Sequence, residues 1–95
     1  MTYFCFIPKV SDGKTLKISP PDWAAFRQTT EARHPVSVEV HDFDIEPLPA
    51  DTRCWVLEAR PRPGTAGVNR ETIRQISHEI DAFIEPRKMP LPQAA

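Results

Sequence analysis

Five apolar side chains near one end of the chain fall into a single helical stripe. Ile73, Ile76, Ile80, Phe83 and Ile84 follow the i, i+3, i+7, i+10, i+11 spacing that lines up on one face of an α-helix. Such a stripe must be buried against a second layer. Burying all five contributes roughly 7–15 kcal/mol before chain entropy is set against it. The segment also carries its own start and stop. Asn69 is a good N-cap, Glu71 suits the first turn, and Val68 and Ile73 stand at the N′ and N4 positions of a hydrophobic staple. Pro86 ends the helix.

The second layer has to come from strands. Tyr3 to Val10 is rich in aromatic and branched residues, and Lys14 to Ile18 can return alongside it. Between them Asp12-Gly13 favours a two-residue type I′ turn, which needs positive φ at both positions. That loop sets Val10 opposite Thr15 and Ile7 opposite Ile18. Pro8 has no N–H for a ladder, which puts this strand at an edge or a bulge.

A first helix follows. Ser19 is its N-cap, Pro20 fits the first helical position, and Asp22 complements the helix dipole. Ile18 and Trp23 form another N′/N4 staple. Trp23, Phe26 and Thr30 share one face, and Pro35 predicts an end near Arg33.

Val36 to His41 alternates apolar and polar, the pattern of a half-buried strand. Asp42 to Asp51, with two prolines and four acidic residues, reads as a loop. Arg53 to Ala59 is the next strand. Its apolar centre, Cys54 to Leu57, predicts a central position in the sheet.

The resulting expectation is a single α+β domain over residues 1–85 and a disordered Pro-rich tail over 86–95. Its order is β-β-α-β-β-α, folded as a two-layer sandwich. Two helices cover one face of a four-stranded, mainly antiparallel sheet.

At 95 residues the chain makes one domain with a thin core. An apolar fraction of 40% and a charged fraction of 26% belong to a globular protein and not to a disordered one. A net charge of −1 supplies no global attraction to nucleic acid or to an anionic membrane. No segment approaches the ~20 apolar residues of a membrane span. The stretch Met1 to Pro8 has no basic region before its short apolar part, so it is no signal peptide and the expected location is the cytoplasm. Cys5 and Cys54 show no metal spacing and read as reduced, buried thiols, with a disulfide between neighbouring strands as the open alternative.

Alternation along the strands predicts what the helix-free face carries. The expected set is Phe4, Phe6, Val10, Val56, Glu39, His41 and Glu58. Contiguous apolar area on a small protein marks an interaction site. The expected function is therefore a non-catalytic protein-binding module of inhibitor, immunity or accessory-subunit type. Its partner is another protein, a second copy in a homodimer, or both.

Two other constellations compete. Arg60, Arg62, Arg70 and Arg74 cluster around a loop and a helix start, where arginine forks and helix N-termini suit phosphate or nucleic acid. His41 with Asp42, Asp44 and Glu46 provides a base and acidic neighbours for a small enzyme or ligand module. The spacing of that cluster matches no metal loop, and Cys54 lies mid-strand without a helix N-terminus to activate it. No catalytic residue, metal ligand or cofactor is assigned from the sequence.

Overall fold

The computed structural model describes residues 2–43, 53–65 and 67–91. In chain order the elements are β1 (Tyr3–Pro8), β2 (Val10–Ser11), β3 (Lys14–Leu16), α1 (Pro20–Arg33), β4 (Val36–Asp42), β5 (Cys54–Pro61) and α2 (Arg70–Ile84). A 3₁₀ turn (Glu85–Arg87) and β6 (Lys88–Pro90) follow. The strands form two three-stranded antiparallel sheets, one ordered β1-β5-β4 and the other β2-β3-β6. The α+β class holds, and the single four-stranded sheet does not.

The split has a local cause at Pro8. Asp12 and Gly13 take positive φ, 52° and 71°, and Val10 pairs with Thr15, as a two-residue turn requires. The hairpin is short, however. Ile7 lies opposite Trp55, not Ile18. At Lys9 the chain passes from one sheet to the other: its N–H donates to Arg53 O, while its own O accepts from Leu16 N–H. Pro8 has no N–H to continue a β1 ladder onto the returning strand, so β1 pairs with β5 instead.

The second departure is at the far end. Residues 86–91 were expected to open a disordered tail, yet Lys88–Pro90 pairs with β3 along Lys14–Leu16. Leu91 N–H also bonds Gly13 O at 3.0 Å. Pro86 stops α2 as expected, but it does so inside a 3₁₀ turn that redirects the chain toward an unpaired strand edge.

The helices keep the predicted bounds. Ser19 Oγ accepts from Asp22 N–H, and Asn69 Oδ1 accepts from Thr72 N–H. The buried side chains of α1 are Trp23, Phe26 and Thr30, and those of α2 are Ile76 and Ile80. Trp23, Phe26, Ile76 and Ile80 join Ile7, Val36, Val38, Trp55, Leu57 and Ala59 in one core cluster. Around it Trp23, Phe26, Trp55 and Phe83 make an aromatic group, with Trp23 edge-on to Trp55 at 5.7 Å and Phe26 stacked on Phe83 at 4.7 Å. Both helices thus share a core with one face of the larger sheet, and among the described residues its other face carries no helix.

Candidate functional site: the helix-free face

Register places the side chains on this face in rows. Phe4 is opposite Glu58, and Glu58 is opposite Glu39; Phe6 is opposite Val56, and Val56 is opposite His41. Six of the seven residues expected on the open face therefore share it. Val10 does not. It belongs to the smaller sheet, beyond the crossing at Lys9.

The face is graded from apolar to charged. Phe6 is 71% exposed and Phe4 is 53% exposed on the β1 side. Val56 and Glu58 are 7% and 8% exposed, although none of the described helices covers them. They lie on the central strand, between the phenylalanines of β1 and the side chains of β4.

Glu58 is held by its neighbours. Arg60 Nε donates to Oε2 at 2.8 Å and Arg60 Nη2 to Oε1 at 3.0 Å, a bidentate fork. His41 Nε2 is 3.3 Å from Glu58 Oε1 and 3.8 Å from Glu39 Oε2. The Arg60 hydrogen bonds, reinforced by His41 against the effect of burial, hold the Glu58 carboxyl below the usual glutamate range. One donor atom from each of Glu39, His41 and Glu58 lies within 4.8 Å of the others. An imidazole and two carboxylates so arranged suit a borderline cation such as Zn²⁺. Alternation put all three on one face, but sequence spacing did not show their convergence, because Glu58 comes from a different strand. The expected neighbour Asp42 instead pairs with Lys9 at 2.7 Å, and Asp44 and Glu46 lie outside the described residues.

Three of the four arginines expected to suit phosphate bond within the protein. Arg60 is bound to Glu58, and Arg74 makes a fork with Glu71. Arg62 Nη2 donates to the carbonyls of Glu31 and His34, where it secures the end of α1. The cysteines lie on opposite faces of the sheet. Cys5 shares the core side with Ile7, and Cys54 shares the helix-free side with Val56. Alternation excludes a bond between these two thiols in the folded chain.

A concavity among the described residues lies elsewhere. It is a groove of about 800 Å³ at the α1 side, lined by Trp23 and Trp55 together with Lys9, Arg27 and Asp42. No helix among the described residues is long and apolar enough to cross a membrane. No protein family, curated protein or solved structure matches the chain.

Proposed function

We propose that this chain is a small, non-catalytic protein-binding module that makes contact through the helix-free face of its larger sheet. One observation carries the reading: Phe6 and Phe4 stand 71% and 53% exposed beside each other on one strand. Isolated exposed apolar residues are ordinary, but two large aromatics adjacent on a flat face form a patch that water does not favour. Beside them the Glu58–Arg60–His41 network supplies a polar margin, the arrangement usual at protein interfaces. An inhibitor, immunity protein or accessory subunit fits this description, working in the cytoplasm.

The test separates a contact residue from a packing residue. Phe6→Glu is expected to leave the denaturation midpoint within about 0.5 kcal/mol of the parent, since the side chain touches little of the fold. A loss of the size seen for core truncations, about 3–5 kcal/mol for Phe, would mean that Phe6 holds the fold together and is not offered to a partner.

A second reading rests on the convergence of Glu39, His41 and Glu58. On that reading the face binds a divalent cation, with Arg60 orienting the Glu58 carboxylate from behind. Calorimetric titration of the protein with Zn²⁺ decides it. Saturable heat that disappears in His41→Ala supports the reading, and heat that persists in that variant removes it. The phosphate reading is weaker, because Arg60, Arg62 and Arg74 already bond within the protein.

A further inference from the structure

The two outer edges of the β1-β5-β4 sheet are built differently. In an antiparallel pair, each residue points both backbone polar groups at its partner or both away from it. Lys9 N–H meets Arg53 O at 3.1 Å, one step past the Pro8–Cys54 pair. The Lys9 N–H therefore faces β5, while its C=O turns to Leu16 at the crossing, and by alternation Ile7, Cys5 and Tyr3 face β5. Phe4 and Phe6 point their N–H and C=O outward. The same alternation applies to β4, where Phe43 N–H bonds Cys54 O at 2.9 Å, so that Val38 points outward.

At Val38 the edge is closed. Its N–H donates to Glu31 Oε2 at 2.8 Å, and its C=O accepts from Arg27 Nε at 2.9 Å. Two side chains of α1 thus take the place of a further strand. Among the described residues, no hydrogen bond meets the outward groups of Phe4 and Phe6. An edge of this kind is a template for another strand.

We propose that this edge is completed by a second copy of the chain, β1 against β1, antiparallel about a two-fold axis through Cys5. The proposal rests on the contact-face reading and names its partner. The strand is its own complement in this register. Phe4 comes opposite the second copy's Phe6, and Phe6 opposite its Phe4, which gives four backbone hydrogen bonds. Pro8 lies outside those four and costs none of them. The two sheets join into one of six strands, and the four phenylalanines gather on the same face. Aromatic pairs directly across neighbouring strands stabilise such a joint.

Area sets the strength of the contact. The exposed parts of Phe4 and Phe6 supply roughly 200–300 Å² per copy, if a buried aromatic is taken as 150–250 Å². A standard stable interface needs about 800 Å² per partner. The dimer is therefore a weak, concentration-dependent one, best detected by trapping.

The register offers a trap. Cys5 falls opposite the second copy's Cys5 in a non-hydrogen-bonded pair, where Cα atoms stand about 4.5 Å apart, within disulfide reach. The Cys54→Ala protein, with Cys5 as its one thiol, is treated with copper phenanthroline at mildly alkaline pH. Buffer base takes the two thiol protons, and two copper(II) ions, reoxidised by dissolved oxygen, take one electron each as the S–S bond forms. The expected product is a reducible dimer, several-fold more abundant than from a Cys5→Ala protein that keeps Cys54. Phe6→Pro, which removes an outward N–H and the exposed ring while sparing every bond to β5, is expected to lower the yield several-fold while the far-ultraviolet circular dichroism is kept. A Cys5 yield no greater than that from Cys54 overturns the edge pairing. If Phe6→Glu still leaves stability unchanged, the contact-face reading survives that result; a large stability loss in Phe6→Glu defeats the face reading itself.

Discussion

His34 Nε2 lies 2.6 Å from Glu79 Oε2, and this contact ties the residue that caps the end of α1 to α2. The imidazole is 8% exposed, and the same carboxylate takes a bond from Arg33 at 3.0 Å. Two helices that share few other polar contacts are thereby fixed at one end. Glu79→Ala leaves a buried ring nitrogen without its partner, which costs about 1–3 kcal/mol. Denaturant unfolding is expected to show that loss with the slope unchanged. An unchanged midpoint would mean that water replaces the carboxylate freely.

The closure of the β4 edge makes a separate prediction. Glu31→Ala removes the acceptor for Val38 N–H, and hydrogen exchange at that amide is expected to accelerate while the Val56 amide stays protected. The stability cost is about 1 kcal/mol, because water reaches an edge strand readily. Glu31→Gln, which keeps an acceptor oxygen, is expected to restore much of the protection. Equal exchange at Val38 in all three proteins would contradict the role given to Glu31.

The expected acid response follows from Glu58. Its carboxyl is held low in the folded protein, chiefly by the Arg60 hydrogen bonds. The folded chain therefore binds this proton less readily than the unfolded chain does. The associated stability is complete above the ordinary glutamate value of about 4.3, and it is lost as pH falls through the lower folded value. Carboxyl carbon shifts followed from neutral to acid pH are expected to place the Glu58 midpoint below that ordinary value, and Arg60→Gln is expected to raise it. A Glu58 midpoint at or above the ordinary value in the parent protein would contradict the network. Glu71, paired with Arg74, shifts in the same direction for the same reason.

The parts of this fold that were legible in the sequence are the local ones. The caps at Ser19 and Asn69, the buried faces of both helices and the turn at Asp12-Gly13 each depend on residues a few positions apart. Strand alternation likewise placed Phe4, Phe6, Val56 and Glu58 on the helix-free side before any pairing was known. Partner choice was not legible. Ile7 pairs with Trp55, 48 positions away, because a proline eight residues into the chain breaks the ladder that the hairpin would otherwise extend. The β6 pairing was hidden for a similar reason: Lys88-Met89-Pro90 has no strand pattern of its own and is recruited by the open edge of β3. The role of His34 was not legible either, because a lone histidine before a proline gives no sign of the glutamate it meets on α2. The carboxylates around His41 were sought in the adjacent loop, whereas the sheet brings Glu58 from the neighbouring strand.

The central claim is that the phenylalanine side of the larger sheet, with the β1 edge beside it, is where this molecule meets another copy of itself. A concentration series of amide spectra on the unmodified protein addresses it directly. The account predicts concentration-dependent shifts at Phe4, Cys5 and Phe6, and none at Gln28 or Ala32 on the solvent side of α1. Shifts that follow the helix residues, or β1 signals that stay fixed while the protein self-associates, would contradict it.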